Sequence, residues 1–208
     1  MINYYQELDD RQVDVLGEIG NIGAGAAATS LSVLVDEYVS VSVPRVRILD
    51  YDSIIRMTGG PEDPGVAIMI RVDGDVQGLI MFLLSYEDAY GIAEMLTGST
   101  GGRDDPGGMS DMKLSALKEI GNILGSSYLG SISTLTGLKF GVSIPYLSID
   151  TIGAIMDAAM EEYSINDGRT FFIEESISTE KLSFKSYIIL FMDIPSVNKV
   201  ISMLGIEV

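Results

Sequence analysis

DVLGEIGNIGAGAAATSLSVLVDEYVSVSVP, residues 14–44, aligns without a gap on SALKEIGNILGSSYLGSISTLTGLKFGVSIP, residues 115–145. Leu16, Glu18, Ile19, Gly20, Asn21, Ile22, Ser30, Ser32, Leu34, Val41, Ser42 and Pro44 all recur in the second copy. That many identities at one fixed offset mean duplication. The period is far longer than a solenoid unit, so the repeated piece is a half-domain.

Working outward, Asp9 or Asp10 can cap a helix running to about Val35, with Val13, Leu16, Ile19, Ile22, Leu31 and Leu34 at helical spacing. Residues 39–43 read as a strand, with Pro44 at or near its end. Residues 53–57 read as a helical turn and 59–65 as a Gly/Pro loop. Residues 66–72 and 76–84 form a hairpin around Asp73-Gly74, and 86–96 a helix. Residues 97–108 are the linker between the halves. The second half repeats the order. Ser110 or Asp111 caps a helix to about Leu135, a strand ends near Pro145, and Asp150 caps a helix to about Glu162. Strands at 170–178 and 183–192 and a closing helix at 196–204 follow. The expectation is an α+β fold: one domain over 1–208, built of repeats at about 9–98 and 109–208. Pseudo-two-fold symmetry would set two long helices on a shared, mostly antiparallel sheet.

Composition limits the chemistry. Of 208 residues, 47% are hydrophobic, enough for a sizeable core. Net charge is −17, which repels nucleic acid and anionic lipid, so neither is expected as a partner. Solubility alone is a sufficient reason for such acidity. Cysteine and histidine are both absent, which removes thiol nucleophiles, Ser-His triads and Cys or His metal ligands. The N-terminus lacks the apolar core of a signal peptide, and the longest apolar run, 187–192, is too short to span a bilayer. The expectation is a cytoplasmic protein without membrane insertion.

Carboxylates and amides remain. Glu18 and Asn21 are three apart on a helix, as are Glu119 and Asn122, so each pair shares a face. Asp14 and Ser115 stand one turn earlier on that face, opposite the apolar residues and so in water. Such pairs ordinarily just solvate a helix. Here the pair recurs where its neighbours diverge, Gly17 against Lys118 and Asp14 against Ser115. Gly20 and Gly121 sit beside the Asn at a helix-interior cost of about 1 kcal/mol. They serve either close packing or clearance for a partner backbone. A carboxylate can pair with a lysine, and a carboxamide can orient a water in line with a phosphoryl group.

The spacing Asp/Ser-x3-Glu-x2-Asn-x22-Pro, met by Asp14, Glu18, Asn21 and Pro44 and by Ser115, Glu119, Asn122 and Pro145, resembles the signature of the CheC/CheX/FliY family of chemotaxis phosphatases. Two intact motifs are most similar to its CheC branch. The resemblance implies hydrolysis of the phospho-aspartate of a CheY-type response regulator. Glu18 and Glu119 would pair with the regulator's lysine, and Asn21 and Asn122 would position the water. Pro44 and Pro145 would be structural. Mg²⁺ would be supplied by the regulator, with no cofactor or metal site of this chain's own. The resemblance also implies CheD, a receptor deamidase, as a further partner, on the helix expected to open at Asp150. There, Ile152, Ile155, Met156 and Ala159 could equally be a core stripe.

Other readings are weaker. Gly20-x-x-Gly23-x-Gly25 lacks the strand context of a nucleotide loop and is absent from the second copy. Glu62-Asp63 and Asp104-Asp105 lack the alternation of a calcium loop and read as solvated turns. The second serious hypothesis is a non-catalytic adaptor binding phospho-CheY or CheD. Gly23-Ala24-Gly25 against Leu124-Gly125-Ser126, and Ala27 against Tyr128, suggest unequal sites.

Overall fold

The structure is a computed structural model that describes residues 9–98, 108–163 and 169–205. Most of the expected linker, 99–107, and the acidic pair Asp104-Asp105 lie outside the described residues. The first half runs α1 (Asp10–Val35), β1 (Ser40–Val41), β2 (Arg45–Asp50), α2 (Tyr51–Thr58), β3 (Pro64–Gly74), β4 (Gly78–Ser85) and α3 (Tyr86–Thr97). The second runs α4 (Asp111–Thr136), β5 (Phe140–Val142), β6 (Tyr146–Thr151), α5 (Ile152–Tyr163), β7 (Arg169–Ser178), β8 (Ser183–Met192) and α6 (Ile194–Met203).

Local chemistry sets the helix ends. Asp9 caps α1 in a reciprocal capping box with Gln12, and Ser110 accepts from the Lys113 N–H to open α4. Both long helices stop on a left-handed residue in the same place, Asp36 (φ 51°) and Gly137 (φ 72°). Just past each stop, a repeated serine ties the chain back. Ser32 accepts from the Val39 N–H, and Ser133 donates to the Leu138 carbonyl.

All strand pairings are antiparallel, and the halves interleave. The order is β7, β8, β4, β3 through the middle, with β1 and β2 on β7 at one edge and β5 and β6 on β3 at the other. The first half's β2 thus pairs with the second half's β7, and the second half's β6 with the first half's β3. At the centre Met81 pairs with Ile189. These are equivalent positions, since each lies four residues before its helix cap, Ser85 or Asp193. The pseudo-two-fold axis therefore passes through that pair, and the fold is α+β.

Helices cover both faces. Helices α1 and α4 pack on each other and, with α3, over Ile68, Ile70, Phe82 and Ile188. On the other face, Ile54 and Ile55 of α2 and Ile152, Ile155 and Met156 of α5 cover Ala67, Met81, Phe172 and Ile189. Helix α1 is the one described helix long and apolar enough to cross a membrane by length and composition. Its Ala, Ile, Leu and Val residues, though interrupted by polar ones, raise its mean hydropathy above what the search for contiguous apolar runs suggested. Here one of its faces lies on the sheet and α4.

The structure corrects the sequence reading at two points and decides a third that was left open. The strand expected at 39–43 is only the two-residue β1, and the longer pairing lies after the proline, in β2 and β6. Asp150 does not cap α5. It lies within edge strand β6, paired to Gly65, and Thr151 accepts from the Ala154 N–H instead. Thr151 is the counterpart of Asp50, which caps α2 by accepting from Ser53. The stripe Ile152, Ile155, Met156 and Ala159 is buried core.

Candidate functional site

Asp14, Glu18 and Asn21 lie exposed along the outer face of α1, and Ser115, Glu119 and Asn122 along that of α4. The 3.6-residue helical period puts Ile19 and Gly20, and Ile120 and Gly121, inside at the same turn. Among the described residues, the four Glu and Asn side chains make no hydrogen bond or ion pair. They are free to engage a partner.

The two helices run antiparallel. Gly23 of α1 faces the Tyr128 ring, while Ser30 of α1 lies beside Asn122, Ser126 and Ser127 of α4. The second pair opens onto a polar depression of ≈ 450 Å³ lined by Ser30, Glu119, Asn122, Ile123, Ser126 and Ser127. In the first copy, Gly25 and Ala26 replace Ser126 and Ser127, so two hydroxyls are missing. Sequence reading set Ser126 against Gly25 as a sign of unequal sites but did not place Ser30 or Ser127 beside the second pair. The signal was present in Ser30, which recurs in both copies.

The recurring glycines face inward. A Cβ on Gly121 would stand 2.3 Å from Ile68 Cγ2 on the sheet, and one on Gly20 3.6 Å from Pro44 Cγ. Close packing therefore explains Gly121, whereas a Cβ at Gly20 would fit at ordinary van der Waals distance; because both point inward, clearance for a partner backbone explains neither. Pro44 and Pro145 are both buried against these glycines, which ties each proline to the turn carrying its Asn.

The two copies also differ beneath the surface. The Tyr128 hydroxyl donates to Glu175 Oε2, and Glu175 is buried in β7 with Oε1 unpartnered among the described residues. Burial pushes this carboxyl up to about 7, the Tyr128 hydrogen bond pulling the other way. Burial, then the carboxylate beside it, raises the Tyr128 phenol as well. In the first copy, the position of Tyr128 holds Ala27. A small apolar cavity of ≈ 50 Å³ lies under α1, lined in part by Leu16, Ile19, Gly20, Val46 and Tyr128.

Among the described residues, no group of three or more His, Cys, Asp or Glu could hold a metal ion. Asp150 is exposed at the sheet edge, on a different element from the Glu and Asn pairs.

Residues 12–48 and 112–149 match the CheC-like family, one match per repeat. Over 206 residues, 98% of this chain and 99% of the relative, the sequence is 29% identical to the CheY-P phosphatase CheC of Bacillus subtilis. The fold superposes on FliY of Thermotoga maritima with a TM-score of 0.75 at 24% identity, covering 96% of this chain and 98% of that one. It also matches a CheX–CheY–BeF3–Mg²⁺ complex from Borrelia burgdorferi with a TM-score of 0.53 at 15% identity, covering 86% and 98%. With both repeats matched, near-full-length similarity and a shared fold, the chain belongs to the CheC-like family.

Proposed function

We propose that this chain is a phosphatase for the phospho-aspartate of a CheY-type response regulator. The observation that carries the reading is the pair of exposed, unpaired Glu and Asn side chains, presented twice by the packed helices α1 and α4. The curated name of the Bacillus relative, a CheY-P phosphatase, supports it.

In this reading Glu18 or Glu119 pairs with the regulator's lysine and holds the two proteins in register. The carboxamide oxygen of Asn21 or Asn122 accepts a hydrogen bond from the attacking water. The water oxygen bonds to phosphorus as the bond to the aspartyl oxygen breaks. Aspartate leaves as carboxylate, inorganic phosphate departs, and the surplus proton passes to solvent. Positioning of this sort suffices because the acyl phosphate is already labile. Mg²⁺ belongs to the regulator and neutralises charge on the phosphoryl oxygens. CheD is a second partner in this reading, meeting the exposed Asp150 beside α5. Acting on such a regulator, the protein would work in the cytoplasm.

The test is phosphate release from a phosphorylated CheY-type regulator with Mg²⁺ and excess acyl-phosphate donor. Wild type accelerates decay. Asn21→Ala with Asn122→Ala loses the acceleration, on the order of 10²-fold for a lost positioning group, and keeps the complex. A wild type that binds without accelerating decay would leave the adaptor reading in its place.

A further inference from the structure

Val43 and Ile144 are 77% and 87% exposed, among the most exposed large apolar side chains described. Single exposed apolar residues are ordinary on a protein surface. These two occupy the same position in the two repeats, immediately before Pro44 and Pro145. Each is also held outward by the same device. The Ser42 N–H donates to the Ser176 carbonyl and the Ser176 N–H donates to Ser42 Oγ, both at 2.9 Å. In the other repeat, the Ser143 N–H donates to the Arg71 carbonyl and the Arg71 N–H to Ser143 Oγ, both at 3.0 Å. A serine clamp on one side and a buried proline on the other fix the residue between them. The prolines lie against Gly20 and Gly121, the neighbours of Asn21 and Asn122. Each Glu and Asn pair thus has an exposed, β-branched apolar side chain next in sequence to the proline that packs beneath its helical turn.

We infer that Val43 and Ile144 are docking contacts for the phosphorylated response regulator, each seating in an apolar patch beside its phospho-aspartate. The inference rests on the phosphatase reading of the neighbouring Glu and Asn residues. Charge favours it. A chain of net charge −17 gains nothing from long-range attraction to a phosphorylated site, so apolar contact is needed beside the Glu–lysine pair to supply affinity. A β-branched side chain with a restricted χ1 loses little entropy on docking.

The test is Val43→Ser with Ile144→Ser, assayed for phosphate release across regulator concentrations. The expected result is a KM raised about tenfold or more with kcat within twofold, and KM restored by the swap Val43→Ile with Ile144→Val. Both sites are exposed, so the urea midpoint should match wild type, which reports folding separately. An unchanged KM overturns the inference, as does sedimentation showing that the serine variant only breaks a dimer of this chain. If wild type does not accelerate phosphate release, the phosphatase reading falls. Direct binding to the phosphorylated regulator then decides this inference: affinity lost in the serine variant supports it, and affinity retained or absent in both overturns it.

Discussion

Replacing Glu175 by Gln should change how stability depends on pH. The wild-type carboxyl is buried in β7 with one oxygen unpartnered among the described residues, and burial raises it from 4.5 to about 7. Between those values the folded protein holds a proton that the unfolded chain releases, so wild-type stability falls as pH rises from about 4.5 to about 7 and then levels. A tenfold change in proton affinity corresponds to about 1.4 kcal/mol, so the full change is about 3 kcal/mol. The amide introduced by Glu175→Gln would keep the size and accept from Tyr128 but cannot ionise. The many exposed carboxylates titrate alike in both proteins and cancel in the difference. Urea denaturation suits the measurement because urea is uncharged, and circular dichroism should follow it because the chain has no Trp. Between pH 5 and pH 8, the variant should gain about 2 to 3 kcal/mol on wild type. Tyr128→Phe removes the hydrogen bond that lowers Glu175 and should move the window to higher pH. Parallel wild-type and Glu175→Gln curves across that range would refute the buried-carboxyl argument.

The inward glycines give an internal contrast. Gly20→Ala meets nothing nearer than 3.6 Å and should stabilise by up to about 1 kcal/mol through helix propensity. Gly121→Ala places Cβ 2.3 Å from the fully buried Ile68 and should destabilise by roughly 1 to 2 kcal/mol despite the same propensity gain. Thermal melts in which the two variants shift alike would contradict this packing account. Asn21→Ala and Asn122→Ala made singly should retain unequal shares of phosphate release, since Ser126 and Ser127 line only the second site; equal rates would show that the hydroxyls do not matter. Asp150→Lys should abolish co-purification with CheD while leaving the urea midpoint unchanged, and intact co-purification would dismiss that contact.

Much of the site was legible because it depends on short-range geometry. Glu18 with Asn21 and Glu119 with Asn122 needed only the helical period and the repeat to be placed on one exposed face. Val35 as the end of α1 was readable for the same reason, and its cap was narrowed to Asp9 or Asp10, of which the structure uses Asp9. The edge strands were not. The alternation of Ser and Val at 39–43 imitates a strand, whereas β2 and β6 owe their extension to β7 and β3 of the opposite half. The misplaced cap at Asp150 was recoverable, because the repeat register puts Thr151, not Asp150, opposite Asp50.

The duplicated pattern and the periodicity within each copy established the symmetry, the helices and the outward polar pairs, since these follow from neighbours three or four residues apart. The interleaving of the halves depends on which strand edges remain open once each half has formed, a matter of register between residues far apart in the chain. The same distance hid the reason for Gly121, which is the Ile68 side chain, and the partner of Tyr128, which differs visibly from Ala27 in the sequence but finds Glu175 across 47 residues of chain. Those contacts exist only after the sheet has brought the two repeats together around one axis.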